Sequence, residues 1–163
     1  MLASPTVMRR NSVRLSRRHE WFVYAVAAAV FFTGAAWAAV HYLLAPPNDF
    51  GIAGAGQSWC LKLHGAAAMA VLVLLGSLLP LHLKFAWRAG RNLRTGLSLL
   101  ALLAFLVFTG YGLYYFGDER LRAWTGAAHL WGGLMLPVIM SMHVWRGKTS
   151  RVKLRLNQCT TNE

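Results

Sequence analysis

The sequence predicts an all-α integral membrane protein: a four-helix up-down bundle built from two repeated helical hairpins, with both termini cytoplasmic. Three observations predict it. The 163 residues are 56% hydrophobic and only 13% charged, whereas about a quarter of a soluble domain is charged. Four apolar stretches, Trp21 to Leu44, Cys60 to Leu83, Thr95 to Phe116 and Ala123 to Trp145, each reach the roughly 20 residues that cross a bilayer as a helix. The basic residues, finally, fall on one side of those stretches.

Arg9, Arg10, Arg14, Arg17 and Arg18 precede the first span; Lys84, Arg88, Arg91 and Arg94 follow the second; Arg146, Lys148, Arg151, Lys153 and Arg155 follow the fourth. Only Lys62, Arg120 and Arg122 lie on the other side, with Asp49, Asp118 and Glu119. The positive-inside rule places both termini in the cytoplasm of a bacterial-type inner (plasma) membrane. A net charge of +12 distributed this way is a topology signal in contact with membrane lipid, and excludes nucleic acid as the expected partner.

The elements follow in order. Residues 1–20 form a basic cytoplasmic N-terminal tail, 21–146 the transmembrane domain and 147–163 a basic cytoplasmic C-terminal tail, neither tail showing apolar periodicity. Span one follows a basic region and contains Ala36-Trp37-Ala38, as a signal peptide would, but its apolar run is too long for a cleaved signal core and reads as a retained anchor. Pro46-Pro47-Asn48-Asp49, with Gly51, Gly54 and Gly56, marks an outer loop over 45–59, a candidate docking surface. A second, shorter outer loop covers 117–122. Trp21, Trp87 and Trp145 on one side, and Trp37, Trp59 and Trp124 on the other, read as interfacial belts. Cys60 and Cys159 then lie at opposite membrane faces and cannot bridge.

The two halves repeat. Val30-Phe31-Phe32-Thr33-Gly34 matches Leu106-Val107-Phe108-Thr109-Gly110, with Arg18 and Arg94 each 15 residues before the threonine. Trp59 precedes His64 by five, as Trp124 precedes His129. Each half ends in a second histidine followed by a basic residue: His82 with Lys84, and His143 with Arg146. In this register His19 aligns with Thr95 and His41 with Gly117, so neither has a counterpart histidine.

Four paired imidazoles inside a membrane are a functional hypothesis by default. His64 and His82 are 18 residues apart and His129 and His143 are 14 apart, so at about 100° per residue each pair keeps to one side of its helix. At about 1.5 Å per residue, one member of each pair falls near each membrane face. With spans two and four parallel, His64 faces His129 in the outer half and His82 faces His143 in the inner half. Imidazole nitrogen ligates haem iron well, and two such pairs make two bis-histidine haem b sites. The His64, His129, His82 and His143 side chains are the expected iron ligands, and no Cys-x-x-Cys-His motif is present for covalent attachment.

Gly34 and Gly110, with Gly112, Gly65, Gly126, Gly132 and Gly133, are expected to make room for the rings; each could equally be small-residue helix packing. Lys62, Arg120 and Arg122 outside, and Lys84, Arg88 and Arg146 inside, could pair with propionates or simply snorkel. Two axial imidazoles leave iron no open position, which favours electron transfer over oxygen chemistry. The competing readings are a non-haem membrane anchor or assembly subunit, and a metal-ion transporter using the same histidines. A transporter path would want polar groups at mid-membrane, where spans two and four carry Val71, Leu74, Leu75, Leu136 and Met140.

Over residues 18–148 this arrangement resembles the cytochrome b superfamily, in particular the prokaryotic cytochrome b561-like four-helix proteins. The resemblance is carried by His64, His82, His129 and His143 with Gly34 and Gly110. It implies that the four histidines ligate two b haems and that those glycines accommodate the rings. The 18-residue spacing in span two departs from the familiar 14, and Pro80 is the residue expected to absorb the difference by kinking the helix. The implied role is an electron-transfer subunit rather than a stand-alone enzyme. Quinol or a flavoprotein is the expected donor, and a periplasmic redox protein the acceptor.

Overall fold

The computed structural model describes residues 17–44, 52–89 and 92–160, with the side chains at 52, 53, 81–83, 85, 86, 88, 89 and 151–160 outside the description. Four helices account for nearly all of it: α1 (Arg17–Ala39), α2 (Ile52–Ala89), α3 (Leu93–Tyr115) and α4 (Glu119–Thr160). Each contains a segment long and apolar enough to cross a membrane.

Local chemistry explains where the helices begin and end. α1 loosens into a π-helical turn over Val40–Leu44, just before Pro46 and Pro47, whose missing N–H groups cannot extend a helical ladder. α3 starts after Asn92, which holds the left-handed conformation at φ 59°, a region asparagine tolerates better than most residues. It ends where Phe116 turns extended and its N–H reaches back to the Gly112 carbonyl at 2.8 Å. Asp118 then caps α4: its Oδ1 accepts from the Leu121 N–H at 2.7 Å and its carbonyl from the Arg122 N–H at 2.9 Å.

Three boundaries differ from the sequence expectation. The outer segment expected as loop through residue 59 is helical from Ile52 onward, Gly54 and Gly56 included; flanking helical propensity carries the chain through glycines that cost only about 1 kcal/mol each. Residues 119–122, expected in the second outer loop, form the capped first turn of α4. The C-terminal segment expected as a tail continues α4 to Thr160, showing that a charged segment can extend an established helix without an apolar face. Residues 1–16 and 45–51, including Pro46 to Gly51 of the loop motif, lie outside the described residues.

Two hairpins pair along their lengths. In the first, His41 meets Gln57 and Thr33 meets His64, so α1 and α2 run antiparallel. In the second, Thr109 meets His129 and Thr95 meets His143, so α3 and α4 are antiparallel as well. The hairpins join where α1 approaches α4, along a groove of about 540 Å³ lined by Ala27, Ala28, Pro137 and Met140 among others. Apolar side chains cover the outside: Val73 is 72% exposed and Phe108 75%. A continuous shell of this kind is stable in hydrocarbon rather than water. Pro80 and Pro137 both sit inside their helices, which remain continuous.

Candidate functional site

The site is assembled from three repeats of one local device, a threonine followed by glycine on α1 or α3 facing a histidine on α2 or α4. Each threonine hydroxyl spends its proton on its own helix. Thr33 Oγ1 donates to the Ala29 carbonyl at 2.7 Å, Thr109 Oγ1 to Phe105 at 2.8 Å, and Thr95 Oγ1 to Asn92, through Oδ1 at 3.2 Å or the carbonyl at 3.3 Å. The hydroxyl lone pairs then face the partner helix as acceptors.

Histidine Nδ1 fills each of them. His64 Nδ1 lies 3.2 Å from Thr33 Oγ1 and 2.9 Å from the Val30 carbonyl. His129 Nδ1 lies 2.9 Å from Thr109 Oγ1. His143 Nδ1 lies 3.2 Å from Thr95 Oγ1. A carbonyl can only accept, so Nδ1 carries the proton in His64, and Thr109, whose hydroxyl donates to the Phe105 carbonyl at 2.8 Å, accepts from His129 Nδ1. The Nδ1–H tautomer leaves the Nε2 lone pair as the one a metal could use.

The glycines let the imidazoles in. A Cβ built on Gly34 would stand 2.9 Å from His64 Cε1; on Gly110, 3.3 Å from His129 Cε1; on Gly96, 3.3 Å from His143 Cε1. Their immediate neighbours are therefore the imidazoles themselves. Gly112 is different: its open side is taken by the Phe116 ring, 2.6 Å from a built Cβ. Gly132 packs against Phe105 and Leu106, and Gly126 against Leu113, ordinary close helix packing. Around Gly65 and Gly133, by contrast, among the described residues no atom beyond their own stretch of helix backbone lies within 4 Å of the added carbon.

Held this way, His64 and His129 meet with ring centroids 6.2 Å apart and planes at 86°. Two metal–imidazole bonds of about 2 Å, plus about 1 Å from each nitrogen to its ring centre, add to about 6 Å. The spacing fits one metal between two axial imidazoles. Among the described residues no group of three or more His, Cys, Asp or Glu gathers. A metal at this pair would therefore complete its shell from outside those residues, as iron does from a porphyrin.

The second expected pair is described on one side. His143 is fixed by Thr95 and by Asn92, whose Nδ2 donates to the His143 carbonyl at 3.0 Å. His82 lies on α2, but its side chain falls outside the described residues. His19, at the position where the second half has Thr95, is partly buried with Nε2 shielded from solvent. His41 stands apart from the pair, stacked on Trp37 at 4.7 Å and 10°.

Thr33, Thr95, Thr109, Asn92 and Gly96 carry the site's support, and none was among the expected site residues. One signal was available: of the four Thr-Gly pairs, at 33, 95, 109 and 125, those at 95 and 109 are 14 residues apart, like His129 and His143. The chain matches no protein-family model, no curated protein and no solved structure.

Proposed function

We propose that the protein is a di-haem b-type cytochrome of the cytochrome b superfamily, acting as a transmembrane electron-transfer subunit with two bis-histidine haems. The carrying observation is the His64–His129 pair, 6.2 Å apart with both Nδ1 atoms committed to the neighbouring helices. His64 and His129 would hold the outer haem, and His82 and His143 the inner one. A bound haem supplies reversible one-electron chemistry at iron.

The chain's own residues supply the rest. Thr33, Thr109 and Thr95, with the Val30 carbonyl, orient the imidazoles and keep Nε2 deprotonated; hydrogen bonds at Nδ1 also raise ligand basicity. Apolar helix walls exclude water from the outer pair. His129 and His143 set the two sites about 21 Å apart along α4, which spreads them across the bilayer. In this reading the four helices form an up-down bundle with both termini cytoplasmic, in a bacterial-type inner membrane. Quinol or a flavoprotein donates, and a periplasmic redox protein accepts.

The test is a reduced-minus-oxidised visible spectrum of the purified chain with pyridine haemochrome quantification. Two b haems per chain are expected, falling to one in His64→Ala and His129→Ala while helicity by circular dichroism is kept. A colourless preparation, expressed with haem supply intact, overturns the reading.

A further inference from the structure

At the basic end of the second hairpin, the start of α3 and the far part of α4 flank an open pocket of about 540 Å³, lined by Asn92, Arg94, Arg146, Thr149 and Ser150 among others. Arg94 and Arg146 come from different helices, 52 residues apart in sequence. The hydroxyls do not compete for them as acids would: Thr149 donates to the Trp145 carbonyl at 2.6 Å and Ser150 to Arg146 at 2.8 Å. No carboxylate lines the pocket, and the described ones are Glu20 near the start of α1 and Asp118 and Glu119 between α3 and α4. Asn92 uses one N–H on the His143 carbonyl and retains a second to offer. Two guanidiniums and an amide N–H form a cradle for a phosphate oxyanion.

The depth of the pocket identifies where that phosphate comes from. Arg146 directly follows Trp145, which is 70% exposed and marks the level where indole rings meet lipid headgroups. Basic pockets between membrane helices at this level take anionic headgroups. We infer that the pocket binds the phosphate of an anionic phospholipid in the leaflet at the basic face. Because Asn92 also bonds the His143 carbonyl and Thr95 holds its ring, the lipid braces the α3 start that positions His143. The inference does not require iron at that histidine.

The test places the full chain in phosphatidylcholine nanodiscs with and without phosphatidylglycerol, reading lipid retention by native mass spectrometry and the melting temperature. Phosphatidylglycerol is expected to be retained and to raise the melting temperature of the wild type. R94Q/R146Q should weaken retention by about tenfold or more, because each glutamine loses a charge-assisted bond to the phosphate. K84Q/K148Q, which removes two exposed lysines of the same face outside the pocket, should retain lipid like the wild type. Equal loss in both variants means that face charge alone attracts lipid and overturns the pocket. Full reproduction of the stabilisation by inorganic phosphate in phosphatidylcholine overturns the lipid as the source. If R94Q/R146Q keeps phosphatidylglycerol but loses one haem by its visible spectrum, the pocket serves a propionate and the inference fails. A colourless wild type would end the cytochrome reading while leaving the lipid readouts intact.

Discussion

His64 and His129 stand 6.2 Å apart with their planes at 86°, and neither is placed by its own helix alone. The Val30 carbonyl and Thr33 hydroxyl of α1 hold the first; Thr109 of α3 holds the second. Each hairpin thus contributes one histidine and the hydrogen bonds that aim it. The pair's spacing depends on the packing of α1 on α2, of α3 on α4, and of the hairpins on each other, so changes in any of these should be felt at the site.

Adding a methyl at Gly34 should be more damaging than at Gly110. The new carbon would meet His64 Cε1 at 2.9 Å, below any ordinary contact, but His129 Cε1 at 3.3 Å. Overpacking of this kind costs about 1–3 kcal/mol, with Gly34→Ala toward the upper end. Gly76→Ala, where among the described residues no atom beyond its own stretch of helix backbone lies within 4 Å of the added carbon, should melt like the wild type or slightly higher. Thermal melts in one detergent rank the three; a Gly34→Ala protein as stable as Gly76→Ala would mean His64 is not seated against α1.

Removing the threonine hydroxyls at constant shape separates the three supports. Thr33→Val leaves His64 the Val30 carbonyl at 2.9 Å, so it should lose about 1 kcal/mol or less. Thr95→Val should lose more, about 1–3 kcal/mol, because Thr95 is only 8% exposed and links Asn92 to His143 at once. Under the cytochrome reading, each variant also shifts the midpoint potential of one haem only. Equal destabilisation by Thr33→Val and Thr95→Val would contradict the ranking.

How much of this could be read in advance depends on the kind of signal. Apolar length betrayed the four spans, because hydrocarbon thickness is a fixed ruler, and the duplicated His and Thr-Gly positions exposed the repeat. The facing of His64 and His129 followed from their equivalent places in that repeat. The role of Thr33, Thr95 and Thr109 was harder to see, since a threonine on a membrane helix ordinarily bonds its own i−4 carbonyl, as Thr33 and Thr109 also do; only the partner helix reveals the second bond. The start of α2 at Ile52 was hidden by glycines whose small helix penalty was outweighed by neighbours. The space beside Gly34 was expected for a porphyrin, but periodicity cannot say which of two nearby rings touches a missing side chain.

Asn92 combines a backbone role with a side-chain role, and two substitutions pull them apart. Its φ of 59° costs an ordinary residue about 1–2 kcal/mol and costs glycine almost nothing. Its Nδ2 bond to the His143 carbonyl, 3.0 Å long, contributes about 1 kcal/mol. Asn92→Gly should therefore lose about 1 kcal/mol, and Asn92→Ala about 2–3 kcal/mol, by equilibrium unfolding in mixed micelles. If the two variants unfold together, the left-handed turn is not required to start α3.

The two cysteines report how the chain threads the bilayer. Cys60 lies on α2 four residues before His64, in the turn where Trp59 is 63% exposed and carries the Lys62 ammonium 5.0 Å from its ring centre. Cys159 lies on α4, 30 residues beyond His129, which at 1.5 Å per residue is about 45 Å along the helix axis and longer than the hydrocarbon is thick. His64 and His129 share one level, so the topology proposed above puts residues 60 and 159 on opposite sides of the membrane. A membrane-impermeant maleimide on sealed inside-out vesicles should label Cys159 in the Cys60→Ser variant, and right-side-out vesicles should label Cys60 in the Cys159→Ser variant, the half-buried Cys60 more slowly. Labelling of both from one side of intact vesicles would mean that α4 does not cross after His129, and the two hairpins could not then hold their histidines at the two faces of one membrane.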